Sequence, residues 1–348
     1  MHLLHVNGHD MAYVEQGKGT PLLLLHGAMC DLRYWASQMA TFGRRYRTIA
    51  PSLRHFWPER WDGIGDDFTI QQHTEDVAAF VAALGAGPVH LVGHSRGGHV
   101  AFRVAQHFPD RVRALILAEP GGELDATLAP EPPHPGMPAG LDTFGQAAER
   151  IRHGDVDGGL ALFVDTVSGP SAWEALTERS RETMRDNAYT LLGQVREQRP
   201  PFSRSDAEAI RAPTLLVGAE RSPPTYARIL DALERTLPQA QRATIPGTDD
   251  ASGPTNSVAY KQSSTRVCWG FGRARWLSDR TWSPVPPRHG LIRGDVSTRS
   301  GAVLPCGRTL PLRISLPLLW RMSPLAAADL ISMSSHDQSM PYLKLELL

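Results

Sequence analysis

An α/β fold with a mostly parallel, doubly wound sheet and an inserted helical cap is predicted by three features of the sequence. Short apolar runs of strand length alternate with amphipathic stretches of helix length, the rhythm of a parallel sheet covered on both faces. One of those runs, Val89 to Val92, passes through Gly93-His94-Ser95-Arg96-Gly97 directly into a helical stretch. A long block without strand character then interrupts the rhythm before it resumes near Ala212.

Each element has its own signal. His5 to Glu15 alternates around a turn containing Gly8, as a half-buried hairpin does. Pro21-Leu22-Leu23-Leu24-Leu25 is continuously apolar and short, which predicts a strand buried on both faces, ending at His26-Gly27. Tyr46 to Ala50 predicts a strand stopped by Pro51, and Thr69 to Leu84 a helix with Val77, Phe80, Val81 and Leu84 on one face. After Val89 to Val92 come a helix from Gly98 to His107, ended by Pro109, and a strand from Ala114 to Ala118. Gly121 to Gly140 is crowded with Pro and Gly and predicts a surface linker leading into a lid. Leu141 to Arg152, Val156 to Val167 and Ala172 to Arg199 are helical in pattern. A strand from Ala212 to Val217, a helix from Tyr226 to Leu237 and a strand from Ala240 to Ile245 complete the series.

The expected organisation is a core of residues 1–125 and 205–260, a helical cap of 126–204 and an atypical tail of 261–348. The tail holds two of the three cysteines and four of the eight tryptophans without a sustained period of 2 or 3.6. Two readings of it stand: a divergent, partly disordered extension, or an out-of-frame translation product that replaces the closing helix of the fold.

Composition excludes several function classes. Lys and Arg total 36, as do Asp and Glu, so whole-chain charge gives no argument for nucleic acid or an anionic membrane surface. The balance is uneven: from Lys261 onward 12 basic residues face 5 acidic ones, whereas the preceding residues carry 24 against 31. Cys30, Cys268 and Cys306 have neither the pairing nor the density of a disulfide scaffold or zinc site. No signal-peptide pattern opens the chain, and the apolar stretch Leu310 to Met333 is broken by Arg313, Pro317, Arg321 and Pro324. A cytoplasmic protein without cofactor or metal, acting on a small molecule, is expected; oligomeric state is left open.

The Gly93 to Gly97 pentapeptide carries the chemistry. Glycines on both sides allow a sharp strand-to-helix turn that lifts the Ser95 hydroxyl above the sheet edge. His26-Gly27-Ala28 leaves a neighbouring strand end, so the Ala28 and Arg96 N–H groups are the expected oxyanion donors. Together with Pro213-Thr214-Leu215-Leu216-Val217 and Ile245-Pro246-Gly247, these motifs resemble the α/β-hydrolase superfamily, in its capped esterase, epoxide hydrolase and haloalkane dehalogenase branch, over Leu3 to Tyr260. Epoxide hydrolases and dehalogenases of that branch carry aspartate at the Ser95 position. Serine there implies acyl transfer from an ester, lactone or related carbonyl substrate.

The resemblance also locates an acid and a base. Its usual acid position, after Val217, falls on Ser222 in Gly218-Ala219-Glu220-Arg221-Ser222. Some relatives take the acid from the preceding strand end, which makes Glu119 the candidate, ahead of Glu220; a solvated strand-end glutamate is the alternative. The histidine is expected shortly after Pro246-Gly247, where this chain has Asp250, and none occurs between His153 and His289. A carboxylate is a far weaker base than imidazole and would lie near Glu119. His94 and His26 are expected to serve packing and loop geometry. The expected function is thus a serine hydrolase of carboxylic esters impaired at its base, with Ser95, Glu119 and Asp250 as the catalytic set. The alternative is a catalytically silent ligand-binding fold or defective gene product.

Overall fold

A computed structural model describes residues 1–129, 140–220 and 223–245. The chain divides into two units, Met1–Arg280 and Thr281–Leu348. All described residues belong to the first, so Ser222, Asp250 and the tail lie outside them.

Local chemistry sets the N-terminal hairpin. Asn7 and Gly8 adopt φ of 49° and 73°, and two successive positive φ angles make the tight turn whose twist matches that of paired strands. β1 (His2–Val6) therefore folds back on β2 (His9–Gln16). The sheet continues with β3 (Pro21–Leu25), β4 (Arg47–Pro51), β5 (Val89–His94), β6 (Val112–Ala118), β7 (Thr214–Ala219) and β8 (Ala240–Ile245). Spatial order is β1-β2-β4-β3-β5-β6-β7-β8. Pairing is antiparallel for β1 with β2 and β2 with β4, and parallel from β4 to β8.

The leucine run shows why the central strands are uniformly apolar. Leu23 and Leu25 enter the core on one face of the sheet, and Leu22 and Leu24 the core on the other. Alternate side chains point to opposite faces, so a strand covered on both needs no polar position. The first core is closed by α2 (Ile70–Ala83) and α3 (Arg96–His107), which contribute Val77, Phe80, Val100 and Val104. Thr69 caps α2 by accepting the Gln72 N–H at 3.0 Å. Trp35 with Met39 and Phe42, from α1 (Ala36–Phe42), packs on the opposite face. Sequence periodicity overlooked α1, because seven residues are too few to show a helical face.

Between β6 and β7 lie α4 (Gly140–Arg152), α5 (Val156–Ser168), α6 (Glu178–Asp186), α7 (Thr190–Arg196) and α8 (Arg204–Glu208); α9 (Pro224–Thr236) follows β7. Helices α4, α5 and α7 share a separate apolar cluster with Ile151, Leu160, Phe163, Trp173 and Leu191, into which Met29 projects from the loop after β3. The single helical stretch expected from Ala172 to Arg199 is instead α6 and α7, broken at Asn187. The reason is tertiary: the Asn187 amide donates to Asp31 and to Thr183 O, both at 2.7 Å, and accepts the Trp57 N–H at 2.8 Å.

No described helix is long and apolar enough to cross a membrane. Among the described residues no group of three or more His, Cys, Asp or Glu side chains is placed to hold a metal ion.

Asp76 ties the hairpin to the core. Fully buried, it receives Arg54 through Nε at 2.8 Å and Nη2 at 3.0 Å, and Asn7 Nδ2 at 3.0 Å. Asp76→Ala removes the main partner of a buried guanidinium and leaves it only Asp67 Oδ2 at 3.5 Å and Asn7 O at 3.1 Å, which costs about 3 kcal/mol. The expected outcome is a denaturant midpoint lowered to match; a change within experimental error would show the pair to be dispensable.

Candidate active site

One residue separates β5 from α3. Ser95 occupies that position with φ 49° and ψ −116°, a conformation that costs a non-glycine residue about 1–3 kcal/mol. Neighbouring backbone holds it there. Ser95 N–H donates to Ala118 O at 3.1 Å, and Ser95 O accepts Gly98, Gly121 and His99 N–H at 2.9, 2.9 and 3.1 Å.

The flanking glycines are required by contact. A Cβ on Gly93 would lie 2.2 Å from Gly97 O, and one on Gly97 would lie 2.5 Å from His26 O. Only hydrogen fits at either position. A Cβ on Gly121 would sit 3.4 Å from Ser95 Oγ and 3.6 Å from Arg96 N, so the backbone after β6 runs close beside the hydroxyl and that N–H. Gly27 brings the third segment in: its Cβ would be 3.2 Å from Ser95 Cβ, which sets the Ala28 turn against the elbow. Ser95 itself is partly exposed.

His26 shapes that turn. Its Nε2 accepts the Leu53 N–H at 3.0 Å, so the ring proton resides on Nδ1, which donates to Gly27 O at 2.9 Å. Burial pushes its pKa down to about 4. His94 is also buried, stacks on Tyr34 with ring centroids 5.2 Å apart, and is likewise lowered to about 4 by burial. Burial together with the Arg96 charge keeps His73 neutral, and burial with the Arg103 charge does so for His99. Both ring nitrogens of His26 are committed to backbone, as the sequence reading expected of a turn-shaping residue.

Glu119 leaves the end of β6 with φ 45° and is 2% exposed. Its N–H donates to Val217 O at 2.9 Å and its Oε1 accepts the Ala219 N–H at 3.4 Å. Glu220, the second acid candidate, is exposed at the end of β7. Asp250 and Ser222 lie outside the described residues. The structure therefore gathers Ser95, the Ala28 turn, Arg96 and Glu119 around the C-terminal ends of β3, β5 and β6.

Sequence reading missed Tyr226, in the first turn of α9. Burial, then the Glu119 charge, raises the pKa of its phenol, against the lowering influence of the Ser95 hydroxyl and the Arg199 charge. Tyr226 thus keeps its phenol proton near the serine. The position of α9 directly after β7 was the available signal.

It missed the surroundings of Arg96 as well. The guanidinium is buried, pairs through both terminal nitrogens with Glu197, donates to His73 Nδ1 at 3.2 Å and lies 4.3 Å over the Phe68 ring. Glu197 closes α7 and its side chain is fully buried. Although burial opposes its charge, Arg96 and Arg199 hold its carboxyl below the usual range.

The family model for the alpha/beta hydrolase fold matches residues 20–252. The chain belongs to that family. A soluble epoxide hydrolase from Corynebacterium sp. (strain C12) is 33% identical over 34% of this chain and 41% of its own length. A non-heme haloperoxidase from Rhodococcus erythropolis is 32% identical over 47% of this chain and 57% of its own. The matched segments thus cover well under two thirds of either relative. Among solved structures, a thermophilic esterase from Thermogutta terrifontis with malate bound aligns with a TM-score of 0.53 at 25% identity, covering 75% of this chain and 93% of the esterase. An epoxide hydrolase solved without ligand aligns at 0.59 and 18% identity over 78% and 96%, a likeness of fold.

The buried histidines make stability depend on acid. His26 and His94 titrate near 4 in the folded chain and near 6.5 unfolded, so between those values only the unfolded chain takes up the protons. Their contribution is complete above pH 6.5 and is lost as pH falls toward 4, on the order of 3 kcal/mol for each. Denaturant melts from pH 7.5 to 4.5 should show a steady fall in midpoint; a flat profile would mean that neither histidine is buried neutral.

Proposed function

We propose that this hydrolase cleaves carboxylic esters or related small carbonyl substrates through an acyl-enzyme on Ser95. The observation that carries this reading is the Ser95 elbow: a strained, partly exposed serine in the one-residue turn between β5 and α3. Ser95 Oγ would attack the carbonyl carbon while its proton passes to the carboxylate at the base position, Asp250, which returns it to the leaving alkoxide as the ester C–O bond breaks. The carbonyl oxygen takes the charge and meets the Ala28 and Arg96 N–H groups, each such donor being worth about 3 kcal/mol in the transition state. The leaving alcohol departs with a proton, and water then attacks the acyl carbon and frees the acid. Glu119, buried at the neighbouring strand end, is the acid of the set, and the protonated Tyr226 phenol stands near the same centre.

A base is the weak point of the set. His26, His73, His94 and His99 are buried and neutral, and three of them make hydrogen bonds to backbone carbonyls. The resemblance puts Asp250 at the base position, which favours low turnover and keeps a silent ligand-binding fold as the second reading. A small-molecule substrate and a cytoplasmic setting belong to the same proposal.

A short-chain nitrophenyl ester assay on the parent, Ser95→Ala and Asp250→His tests it. Ser95→Ala should abolish any burst and turnover, and Asp250→His should raise kcat by at least about 100-fold, part of the million-fold that a triad histidine supplies. Hydrolysis that persists unchanged in Ser95→Ala would overturn the reading. So would a broad ester and lactone panel on which Asp250→His remains inert.

A further inference from the structure

In the loop between β4 and α2, one histidine has a carboxylate at each ring nitrogen. His55 Nδ1 lies 2.9 Å from Glu59 Oε1, and its Nε2 lies 2.7 Å from Asp67 Oδ1. A neutral imidazole carries a single N–H, so its other nitrogen would turn a lone pair toward a carboxylate oxygen. Both contacts are hydrogen bonds only when the ring is an imidazolium. The backbone is committed to the same arrangement. His55 adopts φ 70°, a left-handed conformation uncommon for a residue with a side chain, and its N–H donates to Glu59 Oε2 at 2.6 Å. The ring itself is 9% exposed and stacks on Trp61 with centroids 4.3 Å apart.

Glu59 and Asp67 bring together the two ends of a segment on which α7 rests. Arg196 of α7 donates Nη2 to Gly63 O at 2.6 Å and to Gly65 O at 3.2 Å. A Cβ on Gly63 would lie 2.5 Å from Leu192 Cδ1, and one on Gly193 would lie 2.7 Å from Phe68 Cγ. Phe68, which ends the segment, stacks on Trp61 at 5.3 Å and lies 4.3 Å under the Arg96 guanidinium. Charged and titratable groups also face the cluster from its neighbours. Arg54 Nη1 stands 3.5 Å from Asp67 Oδ2 while its Nε is held by Asp76 of α2. His9 of β2 lies 3.8 Å from Glu59 Oε2, with its pKa lowered by burial. His73 of α2, edge-on to Phe68 at 5.1 Å, is neutral.

We propose that His55 is a pH-operated latch: as an imidazolium it ties Glu59 to Asp67 and holds residues 55–68 closed under α7, and on losing its proton it releases them. Although burial opposes the charge, Glu59 and Asp67 raise the His55 pKa above its ordinary 6.5. Burial likewise opposes both carboxylates, and His55 brings each below its ordinary 4.5 or 3.8. Closure is therefore fully favoured between about pH 4.5 and 6.5 and is lost as pH rises through the raised value of His55. Each unit of that rise is about a 10-fold change in the ratio of closed to open loop. The latch acts on the seat of α7 and is independent of the chemistry at Ser95.

Two readouts on the full chain test it together: an NMR titration of 13C-labelled histidine rings, and hydrogen exchange of residues 55–68 and 190–196 followed by mass spectrometry. The resonance missing from His55→Gln should titrate above 6.5. Over that same range, exchange of both segments should accelerate by at least about 10-fold beyond its intrinsic pH dependence. His55→Gln should exchange fast at every pH. Asp67→Asn, at a side chain 40% exposed, removes one carboxylate from the ring and should move both the ring titration and the release to lower pH. A ring that titrates at or below 6.5 overturns the inference, as does exchange that stays flat through the titration or a release that Asp67→Asn leaves in place.

Discussion

Close backbone approach at the centre of the sheet is the constraint on which the rest depends. Where β3 and β5 end, Gly97 lies against Leu25 O and His26 O, and Gly93 against Gly97 O, at distances that admit no side chain. That proximity forces the chain from strand to helix in one residue and leaves Ser95 at φ 49°. The strain is held by the surrounding hydrogen bonds to Ala118 and Gly121. Ala28, Arg96 and Glu119 are brought near the serine by the same approach, because they are the residues that leave β3, β5 and β6.

A continuous polar chain then joins this centre to its surroundings. Asn7 and Arg54 meet on Asp76; Arg54 O accepts from His73 Nε2, and His73 Nδ1 accepts from Arg96. Arg96 pairs with Glu197, which also takes Arg199. Each buried charge in this chain has an opposite partner, as buried ions require. Asn187 makes a second crossing, from the α6–α7 break to Asp31 and Trp57. The helices between β6 and β7 are therefore tied to the sheet by specific polar contacts in addition to the apolar cluster around Met29.

What could be read in the sequence was whatever local pattern decides. The leucines of β3, the turn at Gly8, the glycines around Ser95 and the alternation of strands and helices each follow from spacing, and each stands where expected. Features decided by distant partners were not legible. Asn187 breaks a helical pattern because Asp31 and Trp57 occupy its side chain, and Arg96 is buried only because Glu197 arrives from α7. The resemblance ranked Glu119 ahead of Glu220, and burial separates them further: 2% exposed against a solvent-facing strand end. Tyr226 joins the serine through the placement of α9, which no period encodes.

The central claim is that the fold presents Ser95 as a nucleophile. Incubation of the native chain with an alkyl fluorophosphonate, followed by peptide mapping by mass spectrometry, tests it most directly. The account predicts an adduct confined to Ser95, formed faster in Asp250→His and lost when the chain is unfolded in urea before exposure. No adduct at Ser95 even in Asp250→His, or adducts spread equally over other serines, would contradict it.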